Sequence, residues 1–316
     1  WISLQLDLAT PDIIGFQEVF SPDSLKKLTQ KHLLTYFETI EPPHHTSDYI
    51  GDKPVVAIAS RFPIEQCDAV SVSPEMIKAM HLPDDFCLSR GILRAQVKLP
   101  LIGSCLVYVL HLKSKRPIIT ESFCQQSLDE TTDLISPDIS WEDKIQQSMT
   151  RQVIGGWAST IQRGSEAACL YYDIMSHRHN KESSNLPIIV LGDFNQNLAS
   201  SELQFLVDNH QLWSIDNSQT DALPHEAKIL FDHFALHDSH QLVLGNAELL
   251  KSHSSDFSEP QTNLLPRQPT HYFSNKGNVL DYILLSNDFN SCYQHSILSV
   301  IDHQTFNQHL LNPIFE

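Results

Sequence analysis

Short runs of apolar residues, separated by polar stretches, recur along almost the whole chain. Residues 12–19 form the first run and end in the polar pair Gln17-Glu18, the pattern of a buried strand that presents side chains at its tip. Further runs rich in Val, Ile and Leu predict strands at 55–60, 91–97, 105–111, 188–191, 279–285 and 296–301.

Helix-forming segments fall between these runs. The Ser-Pro-Asp sequence at 21–23 supplies an N-cap, a first-turn proline and a first-turn acid, and it predicts a helix that ends near His32. The clearest other helices are predicted around 144–163 and 200–208. Strands that alternate with helices over the whole length predict an α/β protein.

Length and composition favour one large domain over 1–316, although length alone would also permit two smaller ones. A chain of 316 residues with 41% hydrophobic content can bury a sizeable core. No run of about 18 apolar residues occurs, so no membrane-spanning helix is expected. Segments 116–143 and 214–268 look like inserted loops, which at this length usually carry function or disorder.

The charge balance narrows the classes of partner. Acidic residues outnumber basic ones 38 to 21, and the net charge of −17 opposes a broad grip on nucleic acid. An enzyme can still concentrate a few cations at one cleft, where a bound divalent metal adds positive charge. We therefore expect an enzyme rather than a pure nucleic-acid-binding module.

Cysteine and histidine usage predicts neither a zinc cluster nor a dense disulfide framework. The six cysteines are scattered without a C-x-x-C pair, and His225, His233, His237 and His240 match no closed zinc spacing. The chain opens at Trp1 without a signal-type stretch, so the true N-terminus is expected upstream. These features slightly favour a cytoplasmic over a secreted protein and leave the compartment otherwise open.

Polar clusters end four of the predicted strands, and Asp281 begins a fifth. The clusters are Gln17-Glu18, 111–115, 192–195 and Asp302-His303. Acids at the rim of apolar strands cost several kcal/mol unless they are paired or bound to metal. Carboxylate oxygens suit a hard cation such as Mg²⁺, and imidazoles exchange protons with phosphate near neutral pH.

These segments resemble a known family. Residues 13–19 (IIGFQEV), 57–64 (AIASRFPI), 111–114 (HLKS), 190–195 (VLGDFN), 280–284 (LDYIL) and 302–303 (DH) resemble, in that order, the motifs of the endonuclease/exonuclease/phosphatase superfamily, which includes DNase I, exonuclease III and inositol-phosphate 5-phosphatases. The resemblance implies an α/β four-layer sandwich in which two packed mixed β-sheets are flanked by helices. The strand pattern alone is equally compatible with a doubly wound sheet.

The resemblance also implies a metal site for Mg²⁺ or Mn²⁺. Glu18 matches the principal metal carboxylate, with Asp302 and Asp193 as further acids for the metal or its water. Asp193 and Asn195 match the pair that orients the attacking water and the scissile phosphate.

Other matched positions imply groups that act on the phosphate. Asp281 and His303 resemble an Asp-His dyad in which the carboxylate fixes the imidazole. His111 resembles the second phosphate-facing histidine of the family. Arg90, in a Ser-Arg element, matches a guanidinium that contacts phosphate. From its position in sequence beside His111, Lys113 is expected to extend the positive rim.

The sequence departs from the family pattern in three places. The family begins with a strand that carries a metal-associated Asn, and this chain starts after it, inside the first helix at Trp1. The apolar segment 54–58 offers no acid to support His111. Asp281 is followed by Tyr-Ile-Leu rather than Arg-Ile-Leu, which favours nuclease-like relatives over inositol-phosphate phosphatases.

The leading hypothesis is a metal-dependent phosphodiesterase of the nuclease type, monomeric and without an obligate protein partner. One alternative keeps the chemistry on phosphomonoesters, inositol phosphates or phospholipid headgroups, and the net charge of −17 makes it serious. A second alternative is a catalytically inactive scaffold of the same fold, which the missing first strand would favour.

Overall fold

The computed structural model describes residues 1–40, 54–118, 140–181, 183–207, 231–245, 267–273 and 275–307. Its strands are β1 (Ile13–Val19), β2 (Tyr36–Thr39), β3 (Val55–Ser60), β4 (Ile64–Ala69), β5 (Leu93–Leu99), β6 (Gly103–His111), β7 (Ile188–Asp193), β8 (Leu236–Asp238), β9 (His271–Phe273), β10 (Lys276–Asn278) and β11 (Asp281–Ser286). Its helices are α1 (Ile2–Ala9), α2 (Pro22–Lys31), α3 (Pro74–Ala79), α4 (Trp141–Thr150) and α5 (Gly156–His179).

The larger sheet has six strands in the order β4-β5-β6-β7-β11-β8. Only the β6–β7 pair is parallel, and α5 lies between these two strands in sequence. Seven consecutive residues of β6, from Cys105 to His111, are buried. A strand covered on both faces reads as a continuous apolar run, which explains why β6 and β7 stand out in the sequence.

The smaller sheet has the order β1-β3-β2 and is antiparallel in the described residues. Every residue of β3 is buried, and Ile58 on this strand belongs to the same core cluster as Val107 and Val109 of β6. The two sheets approach closely at Gly15, where an added Cβ would lie 2.1 Å from Leu191. The sheets therefore pack face to face.

Helices cover the outer faces of both sheets. On α5, Leu170 and Ile174 share a core cluster with Tyr108 and Leu110 of the larger sheet. The helix α1 contributes Leu6 to a separate cluster with the smaller sheet. The result is the four-layer α/β sandwich that the family resemblance implied.

Three elements differ from the sequence predictions. The helix expected at 144–163 begins at Trp141 and continues through a π turn at Arg151–Gly155 to His179. The helix expected at 200–208 is reduced, within the described residues up to 207, to turns and a 3₁₀ segment at Gln204–Leu206. The strand expected at 296–301 is a loop in which Ser296 Oγ donates to Leu298 O at 2.7 Å.

The edge strands β2, β4 and β8 were not predicted, whereas β1 was. β4 has the sequence IEQCDA with four exposed residues, so its polar content hides the strand. Much of the two predicted insertions, including 119–139, 208–230 and 246–266, lies outside the described residues. In the described ranges no helix is both long and apolar enough to cross a membrane.

Candidate active site

Three of the candidate residues stand side by side where strands of the larger sheet meet. His111 at the end of β6 is the register partner of Asp193 on β7, and Asp193 is the register partner of Asp281 on β11. The parallel pairing of β6 and β7 brings their C-terminal ends together, and the antiparallel β11 contributes its first residue to the same edge. The topology thus gathers residues that are widely separated in sequence.

His111 is held as a neutral imidazole. The residue is only 4% exposed, and its Nε2 lies 3.5 Å from Asp193 Oδ2. Burial, and secondly the charge of Arg90, lower the pKa of His111 to about 3. Its Nδ1 has no hydrogen-bond partner within the described part of the protein. His111 can therefore form a hydrogen bond to a ligand while it remains uncharged at neutral pH.

Asp193 is a largely buried carboxyl group with two other acidic side chains, Asp281 and Glu18, near it. Burial raises the pKa of Asp193 to about 7, and the neighbouring carboxylates of Asp281 and Glu18 act in the same direction. The Asn195 N–H, which donates to Asp193 Oδ1 at 2.7 Å, and the Arg90 guanidinium lower the pKa only in part. Such a carboxyl holds either a proton or a cation near neutral pH.

The turn after β7 is fixed by its backbone. Gly192 has a φ of 147°, and an added Cβ would lie 2.0 Å from Leu110 O, so no side chain fits there. Asn195 adopts a left-handed φ of 53°, and its Nδ2 donates to Leu112 O at 2.9 Å. These constraints aim Asp193 and Asn195 at the same end of the sheet.

Glu18 also sits on a left-handed backbone. Its φ is 54°, and the pairing of β1 with β3 shifts register between Phe16 and Val19. A bulge of this kind re-aims a side chain at the end of a strand. The effect of Glu18 on the pKa of Asp193 places the two carboxylates near one another.

The basic side chains approach from the loops after β6 and before β5. Arg90 Nη1 donates to Leu112 O at 3.3 Å, and its charge acts on both His111 and Asp193. Lys113 Nζ donates to Arg116 O at 2.9 Å, so its ammonium is turned toward its own loop. Burial, and then Arg90, lower the pKa of Lys113.

His303 is brought to a cavity of about 340 Å³ that Asp281 also lines. Its Nδ1 lies 2.9 Å from Ser239 Oγ, and the dyad of Asp281 and His303 stays a prediction for two residues that line the same cavity. Burial, and secondly the charge of Arg267, lower the pKa of His303. The carboxylate of Asp302 accepts from the His303 N–H at 2.8 Å and belongs to this side of the site.

Sequence reasoning missed the residues that surround His303. Arg267 forms an ion pair with Asp238, and its guanidinium lies over the Tyr282 ring at 4.5 Å. Ser239 follows β8 directly. Arg267, Asp238 and Ser239 lie in the segment predicted as an inserted loop, where no periodic pattern marked them.

The donor set fits a hard cation in kind and in charge. Glu18 and Asp193 offer carboxylate oxygens, and Mg²⁺ accepts one or two protein carboxylates while keeping most of its waters. Burial, and secondly the charge of Asp281, raise the pKa of Asp193, so a nearby cation would stabilise its charged form. In the described ranges, no group of three or more His, Cys, Asp or Glu residues is placed so that it could hold a metal ion.

Comparison with known proteins assigns the family. A model described as Endonuclease/Exonuclease/phosphatase family matches residues 4–300. No curated protein matches the chain.

Several solved structures are similar in fold at low identity. The human Nocturnin catalytic domain with bound sulfate shares 16% identity, with a TM-score of 0.46 over 91% of this chain and 73% of that chain. ANGEL2, a 2′,3′-cyclic phosphatase, shares 15% with a TM-score of 0.46 over 90% and 72%, and D. rerio TDP2 with a single-strand DNA product shares 15% with a TM-score of 0.41 over 90% and 74%. The family model spans nearly the whole chain, and the chain belongs to the Endonuclease/Exonuclease/phosphatase family.

Proposed function

We propose that this protein is a phosphodiesterase that acts on nucleic acid and depends on Mg²⁺ or Mn²⁺. The observation that carries the proposal is the row of His111, Asp193 and Asp281 at the strand ends, with Glu18 and Arg90 beside it. Burial first, and then the charges of Asp281 and Glu18, raise the pKa of Asp193 to about 7, which favours a bound cation, and the guanidinium of Arg90 next to them favours a phosphate.

The carboxylates of Glu18 and Asp193 would hold the metal, with Asp302 as a further acid on the His303 side. When bound, the metal supplies positive charge to the phosphate and lowers the pKa of bound water. Asp193 and Asn195, fixed on one turn, orient the attacking water, and Asp193 accepts its proton.

The remaining residues bind the phosphate and handle protons. Arg90 offers paired N–H donors that match phosphate oxygens, and Lys113 adds positive charge at the rim. His111, neutral because of its burial, donates a hydrogen bond to a phosphate oxygen. His303, whose pKa burial and Arg267 lower, donates a hydrogen bond to the leaving oxygen, which takes its proton from solvent water, and Asp281 lines the same cavity.

A second candidate substrate class is favoured by the net charge of −17. A strongly acidic protein repels a long polyanion more than it repels a small phosphate ester. Inositol phosphates, other phosphomonoesters and phospholipid headgroups would use the same groups at the site.

The test compares substrates under defined metal conditions. Plasmid DNA, single-stranded nucleic acid, bis-p-nitrophenyl phosphate and inositol phosphates are incubated with Mg²⁺, Mn²⁺ or EDTA. We expect cleavage of a nucleic acid with metal, none in EDTA, and losses of orders of magnitude in D193A and H303A, with D84A as the exposed-acid control. Turnover of inositol phosphates alone selects the second candidate, and calorimetric absence of metal binding together with no turnover selects an inactive scaffold.

A further inference from the structure

A buried carboxylate in the middle of α5 lies outside the predicted site. Glu166 is 1% exposed. Its Oε1 accepts the Ser89 N–H at 2.7 Å, and its Oε2 accepts the Lys113 N–H at 2.7 Å. Gln162 Nε2 donates to Oε1 at 3.0 Å. A buried carboxylate is tolerated only where donors satisfy both oxygens, so this one is committed to two backbone segments.

Each of these segments carries a group of the proposed site. Arg90 follows directly after the first N–H that Glu166 holds, and Leu112 precedes the second. The Leu112 carbonyl accepts Arg90 Nη1 at 3.3 Å and Asn195 Nδ2 at 2.9 Å. Glu166 therefore holds the Lys113 N–H, which is next in the chain to the Leu112 carbonyl that accepts from both Arg90 and Asn195.

The same helix also holds the other polar group of the Lys113 backbone. Arg163, 2% exposed, donates from Nη1 to Lys113 O at 3.1 Å and from Nη2 to Glu202 Oε1 at 2.9 Å. The charges of Arg90 and Arg163 lower the pKa of Lys113, whereas that of Glu166 raises it. Glu166 thus supplies negative charge inside a cluster of cations.

We propose that Glu166 is a positioning residue that holds the Arg90 segment and the Leu112–Lys113 segment in register for the substrate phosphate. The inference rests on the proposed function, because it assigns Arg90 to phosphate binding. Glu166 acts through these segments and does not touch the substrate. Only a carboxylate of this length offers one acceptor oxygen to each amide.

Glutamine at this position keeps the size and removes one acceptor. The Gln NH₂ group cannot accept an N–H, so in E166Q either the Ser89 amide or the Lys113 amide loses its partner. E166D keeps the charge but is one methylene shorter, and it reaches only one of the two amides. Both variants should loosen the anchor of Arg90, with the larger effect in E166Q.

A double-mutant cycle with Arg90 measures this role. For bis-p-nitrophenyl phosphate with Mg²⁺, E166Q should lower kcat/KM on the order of 100-fold, as a small misplacement of a phosphate-binding group does. In the R90A background the same substitution should cost less, because Arg90, one of the groups that it positions, is gone, whereas Asn195 remains. D173N is the matched control on the same helix, since Asp173 accepts from Arg94 and Tyr108 instead.

Amide hydrogen exchange separates this inference from the proposed function. Exchange at Ser89 and Lys113 should be faster in E166Q and E166D and unchanged in D173N. Two results would overturn the positioning role if the wild-type protein is active. One is a wild-type kcat/KM in E166Q, and the other is a fold-loss in kcat/KM from E166Q that is the same in the wild-type and R90A backgrounds. If the wild-type protein cleaves no phosphoester, the proposed function fails. Unchanged hydrogen exchange at both the Ser89 and Lys113 amides in E166Q would separately refute the positioning role of Glu166.

Discussion

Replacing Asp193 by Asn should stabilise the metal-free protein at neutral and alkaline pH and abolish its activity. The Asp193 side chain is 23% exposed, and its pKa is raised from 3.8 to about 7, first by burial and then by Asp281 and Glu18. The folded protein therefore binds more protons than the unfolded chain between these two pH values. Stability falls as pH rises through this window, and the loss is complete above about pH 7.

The size of the effect follows from the pKa values. At ~1.4 kcal/mol per pH unit, the interval between 3.8 and about 7 corresponds to a penalty of about 4 kcal/mol at pH 8 and about 2 kcal/mol at pH 5. Asn cannot ionise, and its Oδ1 still accepts the Asn195 N–H that Asp193 accepts at 2.7 Å. His111, whose lowered pKa gives the opposite slope, is present in both proteins and drops out of the difference.

Urea unfolding in EDTA at pH 5 and pH 8 measures this difference. The free energy of unfolding of D193N should exceed that of the wild-type protein, and the difference should be larger at pH 8 than at pH 5. Saturating Mg²⁺ should reduce this difference, because it stabilises only the wild-type carboxylate. D288N is the control of opposite sign, because it removes the negative charge that pairs with Arg178 at 2.8 Å. The reasoning on the raised pKa of Asp193 is refuted if D193N is less stable than the wild-type protein at pH 8. It is also refuted if the two proteins differ in free energy of unfolding by the same amount at both pH values.

Three further substitutions probe the site. G192A should destabilise the protein by more than about 3 kcal/mol in urea unfolding, since its Cβ would meet Leu110 O at 2.0 Å, whereas G156A, with open space at that position, should not. R90K should lower kcat/KM about 10-fold with Tm unchanged, because an ammonium cannot make the paired donation of a guanidinium; an unchanged kcat/KM would remove Arg90 from the site. E18Q should weaken Mg²⁺ binding in calorimetry, and equal affinities in the two proteins would exclude Glu18 as a ligand.

The interior strands were predictable because burial on both faces leaves a continuous apolar run. β3 and β6 are such strands, and their positions agree with the runs at 55–60 and 105–111. The gathering of His111, Asp193 and Asp281 followed from the polar residues at strand ends, since neighbouring strands bring those ends to one edge.

Other elements could not be predicted, because the sequence of an apolar run does not determine whether its residues are buried in the folded protein. Residues 296–301 are rich in Ile, Leu and Val, yet Ile297 is 58% exposed and Ile301 is 91% exposed, so the run forms no strand. The pairing of His303 with Ser239 depends on β8, a strand of three residues with the sequence Leu-His-Asp. A strand that short has no periodicity to detect.

Three of the positive-φ positions in the described residues lie at the candidate site, beside a largely buried carboxyl group. Glu18 and Asn195 adopt left-handed backbones, and Gly192 occupies a position that no side chain could fill. Asp193 carries a charge that its neighbours oppose. Each feature costs stability by itself, and a core as well packed as that around β6 and β7 tolerates them. Because the largely buried carboxyl group of Asp193 lies beside the charges of Asp281 and Glu18, we expect a bound cation to stabilise its charged form, which is why Mg²⁺ should stabilise the wild-type protein far more than D193N.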